Sequence, residues 1–119
     1  MDDETWIAVW LPMANPCLNQ DALALYGRFV LAAGNRLHDE SLGYFEGVMA
    51  GTANVNLSFT LVPGADTERA IALVVDALKE SKHDAEAIVA HGGFVTRDGK
   101  PSHFEKAVWP PDFCGELPG

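Results

Sequence analysis

Residues 55–62 read Val55-Asn56-Leu57-Ser58-Phe59-Thr60-Leu61-Val62. Val55, Leu57, Phe59 and Leu61 alternate with Asn56, Ser58 and Thr60. Successive side chains of a strand point to opposite faces, so this pattern describes a strand with one face buried and one face polar. Leu42 to Ala50 forms a second extended run just before it, and Gly51-Thr52-Ala53-Asn54 between them are residues suited to turning a chain. The pair predicts an antiparallel hairpin.

Outward from this hairpin, Trp6-Ile7-Ala8-Val9-Trp10-Leu11 is too short for a helix, rich in β-branched and aromatic types, and stopped by Pro12. It reads as a central strand, apolar on both faces. After a loop from Pro12 to Pro16, Asn19 is placed to cap a helix and Asp21 suits the dipole of its first turn. Leu18, Ala22, Leu25, Phe29 and Ala33 recur at helical spacing, and Gly34-Asn35 predicts the stop. On the other side of the hairpin, Pro63-Gly64 turns the chain. Asp66 then caps a second helix with Ile71, Val74, Val75 and Leu78 on one side, Glu68 in its first turn, and Lys79 and Lys82 near its end. Ala85 to Val95 follows as a strand, with Gly92-Gly93 predicting a bulge or twist. Asp98-Gly99 signals a hairpin that returns along His103 to Trp109. Pro110 to Gly119 reads as an irregular tail.

The expected fold is therefore α+β. A ferredoxin-like βαββαβ sandwich is predicted over residues 1–119 as one domain, with two helices on one face of an antiparallel sheet and a further C-terminal hairpin strand. The 48% apolar and 21% charged content is that of a globular chain rather than a disordered one.

Charge narrows the partners. Seventeen acidic residues against eight basic ones give a net charge of −9. Such a surplus repels phosphate backbones and membrane surfaces, so neither nucleic acid nor membrane is expected as a ligand, while encounters with basic proteins are accelerated. The same charge also serves solubility. Met1-Asp2-Asp3-Glu4 is the reverse of the basic start of a secretory signal, and no apolar run reaches the roughly 18 residues of a membrane span, which points to the cytoplasm. Cys17 and Cys114 have no CxxC or Cys/His spacing. They read as free thiols, or as a disulfide joining the ends in an oxidising compartment.

Catalytic motifs are missing. His38, His83, His91 and His103 have no metal-ligand spacing, and His38-Asp39-Glu40 reads as a solvated turn. His91, at a strand end, serves a catalytic role only with a carboxylate to orient it. Gly92-Gly93 lacks a phosphate-loop context, and no serine stands in a GxSxG turn. Neither a cofactor nor a metal is expected, and no catalytic residue is assigned.

If the helices cover one sheet face, acids outside the helices fall on or around the other. Glu46, Asp98, Glu105 and Asp112, with the aromatics Tyr44, Trp109 and Phe113 among them, form the expected partner-binding set, since aromatics amid charges anchor protein interfaces. Trp109 fits equally a residue packed over the sheet end. The small acidic chain, the βαββαβ order and the Trp109-Pro110-Pro111-Asp112-Phe113 tail resemble the immunity proteins with which bacteria neutralise their own antibacterial toxins. The resemblance implies a protein that covers the active site or substrate channel of a basic toxin, such as a nuclease, by complementary charge; a monomer and a homodimer both fit the sequence. Two other readings come with the fold. One is a small-molecule sensor or dimeric barrel enzyme whose joined sheet faces enclose His91 or Tyr44. The other is an RNA-binding domain, against which the charge argues.

Overall fold

The computed structural model describes residues 4–13, 19–50 and 54–111. Leu18, both cysteines, most of the turn between the first two hairpin strands, and the tail from Asp112 lie outside these residues. The elements in chain order are β1 (Glu4–Pro12), α1 (Asn19–Asp39), β2 (Gly43–Ala50), β3 (Asn54–Leu61), α2 (Thr67–Glu80), β4 (Ile88–Arg97) and β5 (Lys100–Trp109). The five strands make one antiparallel sheet in the order β2-β3-β1-β4-β5. The α+β class stands, and the arrangement departs from a plain βαββαβ sandwich in its fifth strand, which extends the sheet beyond β4.

β1 is central because both of its faces are apolar. Ile7, Val9 and Leu11 are fully buried in one cluster, while Ala8 and Trp10 are buried in another with Ala90. The first cluster is the main core. It joins Ile7, Val9, Leu11, Val55, Leu57, Phe59, Leu61 and Val89 of the sheet to Tyr26, Phe29, Val30, Ala33 and Leu37 of α1 and to Ala70, Leu73, Val74, Ala77 and Leu78 of α2. Both helices therefore cover one sheet face. In β3 the alternation is complete, with Val55, Leu57, Phe59 and Leu61 buried and Asn56, Ser58 and Thr60 partly exposed on the opposite side.

Several local expectations are corrected. α1 does not stop at Gly34-Asn35 but continues to Asp39. A Cβ on Gly34 would lie 3.7 Å from the Phe45 Cβ, an ordinary contact distance, so the helix continues through this glycine packed against β2. In the buried stripe of α1 Phe29 and Ala33 are inside as predicted and Tyr26, Val30 and Leu37 join them, whereas Leu25 is 56% exposed. Tyr26 takes the inner position because its hydroxyl donates to the Pro12 carbonyl, tying the helix to the end of β1, and burial raises its pKa. In α2, Ile71 is only partly buried, and Ala70, Leu73 and Ala77 complete the inner face. Asp66 caps this helix as expected, its side chain accepting from the Arg69 N–H at 3.1 Å.

Gly92-Gly93 is no bulge. Both glycines pair in regular register with Trp6 and Thr5 of β1 and with Glu105 and Phe104 of β5. Their role is close approach: a Cβ on Gly92 would fall 2.8 Å from the Trp6 Nε1, and one on Gly93 would fall 2.6 Å from the Glu4 carbonyl oxygen. The irregularities lie elsewhere, between Phe45 and Gly47 in β2 and between Val89 and Ala90 in β4. The β4–β5 turn is Asp98-Gly99 as predicted, with both residues at positive φ, 52° and 76°, as a two-residue hairpin turn of the primed type requires.

Candidate functional face

The face of the sheet turned away from the helices follows from the register, because directly paired residues of antiparallel strands share a face. One row across the five strands is Tyr44, Thr60, Trp6, Gly92 and Glu105. A second row, toward the start of β1, is Glu4, Phe94 and His103. At the opposite end of β1, Met49, Asn56, Trp10 and Ile88 are aligned. From Tyr44 to Glu105 the face is roughly 19 Å wide at about 4.8 Å per strand spacing.

Ala8, Trp10 and Ala90 are buried at the middle of this face with Trp6 and Ile88 packed on them, and Phe94 and His103 lie against Trp6 toward its exposed end. Trp6 and Phe94 meet edge to face with centroids 5.4 Å apart, His103 stacks on Trp6 at 5.8 Å, and Phe94 and His103 are 5.2 Å apart. Gly92 makes room for the indole by presenting no side chain beneath it. Phe94 nevertheless remains 48% exposed, and Tyr44 and Met49 at the β2 edge are 50% and 71% exposed. An aromatic held rigidly by its neighbours yet open to water loses little entropy when a partner covers it, the property of an interface anchor.

The charges are sorted by face. Glu4, Glu46 and Glu105 lie on the open side, Glu46 accepting a hydrogen bond from the Thr60 hydroxyl. The strand Lys100–Trp109 alternates accordingly, with His103 and Glu105 on the open side and Lys100, Phe104 and Lys106 on the other. Among the described side chains no lysine or arginine stands on the open face, and no described basic side chain forms an ion pair with Glu4, Glu46 or Glu105. Three basic groups elsewhere are engaged. Arg36 pairs with Glu80, Arg69 makes a two-pronged pair with Glu40 at 2.9 and 2.7 Å, and Lys79 lies 5.2 Å over the Trp109 ring. The hydrogen bonds from Arg69 hold the Glu40 carboxyl below its usual range.

Of the expected partner-binding residues, Tyr44, Glu46 and Glu105 are brought onto one face. Asp98 is at the hairpin tip, where its positive φ accounts for it. Trp109 packs against the main core on the helix side, its Nε1 directed to the Asp84 carbonyl at 3.5 Å. Asp112 and Phe113 lie outside the described residues. Trp6, Phe94, His103 and Glu4 were not in the expected partner-binding set. The signal that finds them is the face assignment of β1, in which Trp6, Ala8 and Trp10 oppose Ile7, Val9 and Leu11.

Compared with protein-family models, curated proteins and solved structures, the chain matches none.

His91 lies on the helix side of β4, paired with Ile7 and Lys106, so it shares no pocket with Tyr44 across the sheet. Its Nε2 is buried without a hydrogen-bond partner, its ring meets Phe104 at 5.3 Å, and burial lowers its pKa. The described residues bring no three His, Cys, Asp or Glu side chains together as a metal set, and no described helix is long and apolar enough to cross a membrane.

Proposed function

We propose that the chain is a non-catalytic binding protein that docks a basic protein onto the open face of its sheet, with Trp6, Phe94 and His103 as the anchor and Glu4, Glu46 and Glu105 as the anionic surround. The observation that carries this reading is the sorting of charge along β5, which sends Glu105 to the aromatic face and Lys100 and Lys106 to the other. A strand that only needed to be soluble has no reason to separate its charges by face. Complementary charge accelerates encounter and fixes orientation, while the aromatics supply the affinity. The net charge of −9 adds long-range attraction to a cationic partner.

In its specific form the proposal is an immunity-type protein that works in the cytoplasm and neutralises a basic toxin, the role implied by the resemblance in size, acidity and layout. The first four strands and two helices are then a ferredoxin-like sandwich, with β5 as the strand that enlarges its open face. Steric and electrostatic cover of the toxin's phosphate-binding surface is the whole mechanism and consumes no substrate.

The test is affinity capture from the source cells with the wild-type chain and with Glu4→Lys/Phe94→Ala/Glu105→Lys as baits. A basic protein held by the wild type and lost by the variant, with an on-rate that falls as salt rises, supports the reading. The same protein held equally by both baits removes the open face from consideration.

A further inference from the structure

β2 carries its bulge between Phe45 and Gly47, and the bulge has a consequence for side-chain direction. Phe45 pairs with Phe59 on the core side, while Gly47 pairs with Ser58 on the open side, so Glu46 and Gly47 both belong to the open face and Val48 returns to the core. A regular strand would have put Gly47 inside. Bulges re-aim side chains in this way at sheet edges. Here the result is a groove of about 190 Å³ lined by Glu46, Gly47, Val48, Met49, Asn56 and Ser58.

The walls of this groove are of two kinds. Gly47 and Met49 give an apolar side, with Met49 71% exposed. The polar side consists of acceptors. Glu46 accepts a hydrogen bond from the Thr60 hydroxyl and keeps further lone pairs. The Asn56 Oδ1 is shielded from solvent and receives no hydrogen bond. Such an unpaired buried acceptor calls for a donor, and the soft terminal torsion of asparagine lets the amide turn to meet one. No described basic side chain lines the groove. Its volume is below the roughly 300 to 1,000 Å³ of ligand pockets, so it suits one long side chain rather than a cofactor.

We infer that this groove seats one cationic side chain, an arginine or lysine, of the bound protein, its stem along Met49 and its head between Glu46 and Asn56. The inference rests on the reading of the open face as a protein-binding surface and adds the specific residue class that the face selects. Arginine and lysine combine several N–H donors with an apolar stem, which matches both walls.

The test uses the whole isotope-labelled chain and no protein partner. Titration with n-butylguanidinium should shift the backbone amide resonances of Gly47, Met49 and Ser58 saturably, and its neutral isostere n-butylurea should bind at least tenfold more weakly. Glu46→Gln, which retains an acceptor for Thr60, should weaken the guanidinium at least fivefold, and Asn56→Ala at least threefold. Equal response to both probes, undiminished binding by the folded variants, or shifts spread evenly over the Glu4 and Glu105 amides would each overturn the inference. Such a failure leaves the wider reading intact, whereas capture of the partner by the Glu4/Phe94/Glu105 variant refutes that reading whatever the titration gives.

Discussion

Replacing Gly92 with alanine tests how the aromatic anchor is held. The added Cβ would lie 2.8 Å from the Trp6 Nε1 and 3.0 Å from the Phe104 carbonyl oxygen. Gly92 is paired on both sides, to β1 and to β5, so its backbone has little freedom to withdraw. The indole must move instead. Overpacking of this kind costs about 1–3 kcal/mol, and loss of the Trp6 contacts with Phe94 and His103 adds about 0.5–1.5 kcal/mol for each pair that is broken. Opposing this, alanine restricts the unfolded chain and returns about 0.4–1 kcal/mol. The expected net is a loss of about 2 kcal/mol, read in urea as a lower midpoint at unchanged slope. Gly27→Ala in α1 is the internal control, because nothing lies within 4 Å of its Cβ position; it should stabilise by up to about 1 kcal/mol. If Gly92→Ala proves as stable as the wild type, with tryptophan fluorescence unaltered, Trp6 is not packed over Gly92 and the anchor as described does not exist.

Asp66→Ala should destabilise by about 1 kcal/mol in thermal or urea melts, because it removes the acceptor for the Arg69 N–H at the start of α2, while Asp66→Asn should recover most of the loss. Phe59→Ala should cost about 3–5 kcal/mol, since the ring is fully buried between Phe29 at 5.9 Å and Phe45 at 5.4 Å; retention of near-native stability would contradict the core assignment. His91 is held below its ordinary pKa of 6.5 by burial, so the unfolded chain binds its proton more readily than the folded one. Stability attributable to His91 is complete above about pH 6.5 and is lost as pH falls toward the lowered folded value; His91→Leu should flatten that part of the pH profile, and an identical slope in the variant would exclude it.

The parts of the fold that follow period-two logic were legible in sequence. Val55–Leu61 alternates because β3 has one wet face, and Trp6–Leu11 does not because β1 is covered by core on one side and by the Ala8, Trp10 and Ala90 cluster on the other. Asp66 and Asp98-Gly99 were legible because a cap and a primed turn each need particular residue chemistry within a few positions. The misread features depend on neighbours far away in sequence. The stripe of α1 includes Tyr26, whose hydroxyl donates to the distant Pro12 carbonyl, and Gly34 lies within the helix against Phe45 of β2 rather than at its end. Gly92-Gly93 carries the same composition as a bulge, and only the presence of Trp6 and the Glu4 carbonyl across the strand pair gives the two glycines their purpose.

The open face was half legible for a related reason. Tyr44, Glu46 and Glu105 were expected together from charge and position, yet the aromatics of the proposed anchor are adjacent only after β4 and β5 pair beside β1. Sequence separation hides this: Trp6, Phe94 and His103 become neighbours through two strand pairings that the hydrophobic pattern of no single segment encodes. Charge patterning along β5, by contrast, is local. Lys100, Glu105 and Lys106 assign themselves to faces once the register of one residue is known, and a one-residue slip would put Lys106 beside Trp6 and Glu105 on the helix side. The sign of this face is thus a property of register. Gly92 and Gly93 thus link stability to the proposed binding face: a Cβ on Gly92 would meet the Trp6 indole, and one on Gly93 the Glu4 carbonyl oxygen.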